Sequence, residues 1–284
     1  MPIQHTSELY SFLLIAQSLT RFLLLFDEGH FPDFPMSLVQ TRTPVALFQI
    51  LIRVLQAQCD DGSWGSCEET AYALLALVSL SSLPFISIMI PTIQAAVESG
   101  RRFLSETAGD MHDTNDTNDK ACIWVGKVNY RIPPVSYAYV LAALHATCGP
   151  LRGYPSTTGE IDRVIFVPIQ KVNASLRVYR KLPIYRDLKD WQLIAYLAEG
   201  FLYLPTLLEI STFGREGMTP QHYAENTTFA WTIANSSTKQ YSSPELVFFC
   251  MSISLIHVSR PCVLGTEPRS MVLFFFAVPL RRIL

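Results

Sequence analysis

Several carboxylates in this chain begin spacings that metal chemistry uses, but none completes one. Asp60-Asp61-Gly62-Ser63-Trp64 opens like D-D-x-x-D, which puts carboxylates on one helix face to hold hard cations through oxygen. Its fifth position, however, is Trp64. Asp113, Asn115, Thr117 and Asp119 alternate like calcium-loop ligands, but they lack the central glycine and the closing glutamate. The histidines His5, His30, His112, His145, His222 and His257 form neither HExxH nor any other paired ligand spacing. There is no Gly-rich phosphate loop and no G-x-S-x-G elbow. Cys59, Cys67, Cys122, Cys148, Cys250 and Cys262 contain no CxxC pair, so they read as free thiols of a reducing compartment.

Helices must position whatever chemistry remains. Of 284 residues, 49% are hydrophobic and 16% charged, ample for a core in one or two domains. A formal net charge of −2 provides no broad basic field, so neither nucleic acid nor an acidic membrane is an expected partner. The mean hydropathy of +0.24 points to a helix-rich interior, an apolar substrate, a membrane or an absent partner surface. No charge occurs from Ala71 to Val97, long enough to cross a bilayer. Pro84 and Pro91 interrupt that stretch and serines dilute it, so two buried helices joined near Pro84 are expected and no transmembrane span. The N-terminus has no Lys or Arg before Arg21, hence no basic n-region of a signal peptide, and a cytoplasmic location is the default.

Apolar spacing is helical almost throughout. Val45, Leu47, Phe48, Leu51, Ile52 and Leu55 recur at three- and four-residue steps. A second helix begins near Tyr72, with Ser66 and Glu69 as a capping box. Further helices are expected over about 90–103, 135–147, 160–181 and 189–209, with Pro168 breaking one and Pro205 disturbing the end of the last. Gly109 to Lys120 reads as a solvated loop, and the Gly/Pro/Ser/Thr cluster from Gly149 to Gly159 as a domain boundary.

The sharpest motif is Gln58-Cys59-Asp60-Asp61-Gly62-Ser63-Trp64-Gly65, a connector between two apolar helices. Gly62 and Gly65 suit backbone angles that other residues avoid. Trp64 offers a large ring and an N–H donor. Gln58 is placed to meet carbonyls left open at the end of its helix. Taken alone, the octet would also suit a generic helix hairpin anchored by tryptophan.

Q-x3-G-x-W resembles the QW motif of triterpene and class II diterpene cyclases, which braces helices of α/α barrels. Glu68 to Leu77 (EETAYALLAL) resembles the helix that follows it in fungal diterpene cyclases. Ile123 to Arg131 (IWVGKVNYR) is similar to W-I-G-K-x-x-Y-R of copalyl-type cyclases. In that family the lysine lies near the substrate diphosphate. Lys127 occupies the matching position, where a point-charge ammonium suits phosphate; a solvated surface lysine is the competing reading. Glu199 to Pro205 (EGFLYLP) resembles the E-G-Y-L-F-L-P helix opening the class I domain of fungal bifunctional kaurene-type synthases, and Glu216-Gly217-Met218 and Phe229-Ala230-Trp231-Thr232 resemble segments after it.

The resemblance implies an all-α chain: an incomplete class II α/α barrel over residues 1–155, the opening helices of a class I terpene synthase α-domain over 156–258, and a divergent tail over 259–284. It also implies a substrate, geranylgeranyl or copalyl diphosphate, and magnesium as the cofactor of the intact family. Class II cyclisation starts from a protonating aspartate in D-x-D-D, which does not occur anywhere in the chain. The class I metal motif is expected soon after Phe249 to Leu255, where Ile256-His257-Val258-Ser259-Arg260 stands instead. The sequence therefore leads to the expectation of a truncated terpene cyclase, inactive alone, with no catalytic or metal residue of its own. The alternatives are completion of its domains by a partner chain, or a role as a non-catalytic helical scaffold.

Overall fold

The computed structural model describes residues 7–31, 33–107, 123–125, 128–130, 133–149, 159–210 and 220–259. Among the described residues the fold is all-α apart from one short antiparallel strand pair. The chain divides into two compact units: residues 1–34 with 47–164, and 35–46 with 165–284. The division after Val164 lies beyond the Gly149–Gly159 breaker cluster, and residues 35–46 group with the second unit.

In the first unit, α1 (Glu8–Asp27) starts where the Ser7 hydroxyl accepts the Leu9 N–H, and it buries Leu9, Leu13, Ala16, Thr20 and Leu23. This is the spacing of a single helix face. The chain then passes through a π-helical turn (Leu38–Arg42) into α2 (Thr43–Gln56). Near the end of α2, Arg53 pairs with Glu8 at 2.7 Å and lies 4.6 Å over the Phe12 ring. The next helix, α3 (Cys67–Leu80), opens on the expected capping box: Ser66 Oγ accepts the Glu69 N–H, and the Glu69 carboxylate accepts the Ser66 N–H at 2.9 Å. It buries residues on nearly every side, as a helix apolar all round must, and packs against α1, α4 (Ile90–Thr107) and α5 (Pro133–His145). The charge-free stretch 71–97 is divided among α3, a 3-10 turn at Pro84–Met89 and α4. Strands β1 (Ile123–Val125) and β2 (Val128–Tyr130) pair antiparallel, with Val125 opposite Val128. The short α6 (Glu160–Val164) is capped from far away in sequence, where buried Asp27 accepts the Ile161 N–H at 3.1 Å.

Among the described residues, two helical stretches could cross a membrane by length and composition: Glu8–Asp27 and Leu38–Gln56. Neither is the charge-free stretch that the sequence singled out.

The second unit contains α7 (Ile169–Tyr179), α8 (Asp190–Ile210), α9 (Pro220–Ser237) and α10 (Pro244–Ser259). Pro168 separates α6 from α7 as the sequence requires. Pro205, by contrast, sits inside α8, which runs on to Ile210. One lost backbone bond is offset there by burial of the surrounding turns and by a 2.6 Å hydrogen bond between the next residue, Thr206, and Thr41. The 180–190 connection is held by Arg180, whose guanidinium donates to the Asp190 carboxylate and to the carbonyls of Leu188 (2.5 Å) and Tyr185 (3.3 Å).

Candidate functional site

The connector between α2 and α3 is a hydrogen-bonded knot. Cys59 N–H donates to Ser63 O (2.8 Å) and Gly62 N–H to Cys59 O (3.0 Å). The turn needs φ of +89° at Gly62 and +104° at Gly65, a region from which a Cβ is excluded in most residues. Ser63 N–H donates to Asp61 Oδ1 at 2.9 Å, closing an Asx turn. Hydrogen bonds from the Ser63 side chain, then from its backbone, hold the Asp61 carboxyl below the usual carboxylate range. Asp61 thus serves the turn.

Trp64 and Gln58 divide the remaining work. Trp64 Nε1–H donates to Val54 O at 2.6 Å, a carbonyl in the last turn of α2 that the Ala57 N–H also meets at 3.3 Å. Its backbone N–H donates to Thr70 Oγ1 at 3.0 Å. The Gln58 amide, whose position suggested meeting open carbonyls at its own helix end, instead reaches Gly62 O and Ala96 O, both at 3.0 Å, and so ties the turn to α4. The Trp64 ring lies so close to α4 that a Cβ at Gly100 would fall 2.9 Å from it. Gln58, Gly62 and Trp64 together fasten three helices at one point.

One turn further on lies a buried polar cluster that sequence reasoning did not single out. Glu68, 1% exposed in the first turn of α3, accepts hydrogen bonds from the Tyr72 hydroxyl and, at 2.8 Å, from Ser136 Oγ on α5. Tyr72 packs against Tyr139 of α5 (ring centroids 4.9 Å) and Tyr10 of α1 (5.1 Å). Burial first, and then the adjoining Glu68, push the Tyr72 phenol well above its ordinary range, so it remains a donor. The four-residue spacing of Glu68 and Tyr72 was a legible helix-face pair. Nothing in the sequence linked Ser136 to them.

In the second unit, Glu199 to Pro205 lies within α8. Glu199 is fully buried, and the missing side chain of Gly200 admits Phe229 of α9: a Cβ there would stand 2.7 Å from the ring. Phe229 also meets Phe201 at 5.0 Å between centroids. Thr232 donates to Tyr196 O at 2.8 Å, and Trp231 Nε1–H to Ser254 Oγ at 3.0 Å. Of the three segments singled out in this half, the two that are described, Glu199–Pro205 and Phe229–Thr232, meet at the α8–α9 contact.

Lys127, the candidate diphosphate ligand, lies outside the described residues, as do Asp113 to Asp119 and Glu216 to Met218. Among the described residues, no three His, Cys, Asp or Glu side chains gather so as to hold a metal ion. The described residues therefore offer no ligand set for the magnesium that the resemblance implies.

Over 255 residues the chain is 32% identical to pimaradiene synthase pbcA of Emericella nidulans, covering 88% of this chain and 25% of that protein. It is 31% identical over 254 residues to phyllocladan-16-alpha-ol synthase of Phomopsis amygdali, with the same coverage of each. With ent-kaur-16-ene synthase of Fusarium fujikuroi it shares 26% over 255 residues, 88% of this chain and 26% of that one. The chain spans about a quarter of the length of these relatives. No protein-family model and no solved structure matches it.

Proposed function

This chain is diterpene synthase-like, related in sequence to the fungal enzymes along most of its own length, and from that premise we propose that it forms the helix-bracing framework and part of the diphosphate-binding shell of a terpene cyclase for geranylgeranyl or copalyl diphosphate. In this reading Lys127 holds a substrate phosphate as a point charge, and Gln58, Gly62 and Trp64 brace α2, α3 and α4 against one another. The acids of cyclisation and ionisation do not come from this stretch, because neither D-x-D-D nor D-D-x-x-D occurs in it. The observation that carries the proposal is the succession of cyclase-like segments in family order, joined to identity over 88% of the chain.

The test is to incubate the purified chain with geranylgeranyl diphosphate and magnesium, and to analyse extracts for cyclic diterpenes and copalyl diphosphate. The expected result is no cyclised product, with measurable pyrophosphate binding that Lys127→Ala weakens. A cyclic diterpene formed by the chain alone would overturn the inactive part of the reading, and binding unchanged by Lys127→Ala would overturn the role of that residue.

A second reading, a non-catalytic scaffold that binds a partner chain, draws on Leu246, Phe249 and Ile253, which stand 51%, 60% and 50% exposed along α10. A monodisperse monomer in light scattering counts against it.

A further inference from the structure

The connection between α7 and α8 turns two tyrosines inward and three aliphatic side chains outward. Tyr179 closes α7 and Tyr185 stands in the 3-10 turn Pro183–Tyr185, and both are buried, with ring centroids 5.6 Å apart. Val178, Leu182 and Ile184 stand 60%, 36% and 54% exposed. Single apolar residues on a surface carry no meaning. These three fall close together on a connection that Arg180 pins, through Asp190 and the carbonyls of Leu188 and Tyr185, so their exposure belongs to a fixed shape.

The charge around them is one-sided. From Arg177 to Asp190 the chain carries five cations and two carboxylates, although the whole chain sums to −2. Arg180 and Asp190 neutralise each other. Arg177, Lys181, Arg186 and Lys189 are exposed and form no ion pair among the described residues, and in that stretch Asp187 alone remains to oppose them. The net charge that argued against an acidic membrane averages this corner away.

Cations interleaved with exposed aliphatics match a surface that is anionic outside and apolar beneath, which is the make-up of a bilayer with acidic lipids. A single-stranded nucleic acid would call for aromatic rings on which bases stack, and here Tyr179 and Tyr185 are turned inward.

We propose that the α7–α8 connection is a docking surface for an anionic lipid bilayer. Val178, Leu182 and Ile184 enter the interface, and Arg177, Lys181, Arg186 and Lys189 meet the head groups. This is attachment to the face of a membrane, and it depends neither on the diphosphate reading nor on a helix that crosses one.

The full chain is sedimented with vesicles of phosphatidylcholine alone and with vesicles that also contain phosphatidylserine. Binding to the second kind is expected, weakening as salt is added, with little binding to the first. Arg186→Gln weakens it about five-fold, the weight of one cation near an anionic surface, and Arg186→Lys retains it. Ile184→Ser weakens it by a similar factor through the aliphatic contact. Arg102→Gln, an equal loss of charge at an exposed position on α4, binds as the wild type does. No binding to the acidic vesicles, equal binding to both kinds, or equal losses in Arg186→Gln and Arg102→Gln overturns the proposal. An Ile184→Ser variant that binds as the wild type also overturns it, and assigns the corner to an acidic protein, for which polyglutamate would then compete.

Discussion

Replacing Gly62 by alanine isolates how the helix connector is held. Two separate costs arise at that position. The backbone stands at φ +89°, and an L side chain there costs about 1–2 kcal/mol. The new Cβ would also lie 2.3 Å from Ser99 Oγ and 2.8 Å from Ser99 O. The hydroxyl can turn aside, but the carbonyl belongs to α4 and moves only with its helix, which places the clash in the overpacking range of about 1–3 kcal/mol. Gly29 supplies the control. Its φ is +80° and nothing lies within 4 Å of its ideal Cβ, so Gly29→Ala carries the backbone cost alone. Urea unfolding of the wild type and both variants at neutral pH, followed by far-UV circular dichroism, gives the two free-energy losses. Gly62→Ala is expected to lose about 2–5 kcal/mol, and at least about 1 kcal/mol more than Gly29→Ala. Equal losses would refute the argument, because the turn would then not press on α4 and the Gln58–Ala96 bond would be incidental.

Two further outcomes follow from the same geometry. Gly200→Ala gains about 0.5–1 kcal/mol of helix propensity but drives a Cβ to 2.7 Å from the Phe229 ring. A net loss of stability is expected, recovered in part by adding Phe229→Leu; strict additivity in that double-mutant cycle would show that the two positions do not touch. The carboxyl of Asp61 is held below its usual value of 3.8 by Ser63. Its contribution is therefore fully present above that value and fades as pH falls through the lower folded value. The difference in urea midpoint between wild type and Asp61→Ala should be present at neutral pH and close as the pH is taken well below 3.8; a gap independent of pH would mean that the Asx turn does not depend on the ionised carboxylate.

The fold was legible wherever one segment determined its own structure. Helical periodicity located α2 and α3, Ser66 with Glu69 marked where α3 starts, and Pro168 marked a break. Pro205 misled because a proline's local cost was weighed without its tertiary surroundings, where Thr206 and Thr41 join turns far apart in sequence. The same limit applied to the connector. Glycine and tryptophan types showed that a tight, anchored turn belonged there, but the choice between Val54 O for Trp64 and Ala96 O for Gln58 depends on where α4 packs. Ser136 was invisible for the same reason. A serine in the first turn of a helix usually serves its own backbone, and only the meeting of α3 with α5 turns it toward Glu68.

Both units place a glutamate where a bundle built only for stability would place leucine. Glu68 is 1% exposed at the start of α3, and Glu199 is fully buried along α8 beside the glycine that admits Phe229. Tyrosine hydroxyls lie one turn on from each, at Tyr72 and Tyr203. Burial foremost, with the neighbouring glutamate adding, raises both phenols far above their ordinary range, so they stay neutral. Buried carboxylates are poor contributors to net stability, and the satisfied one at Glu68 joins the faces of α3 and α5 that meet at it. Glycines that a methyl group would overfill, at Gly62, Gly100 and Gly200, act in the same sense by allowing one close approach and no looser one. Under the proposed reading, a framework that places helices this narrowly suits the presentation of an apolar, flexible substrate in one conformation, since reacting atoms held slightly out of place forfeit much of the rate.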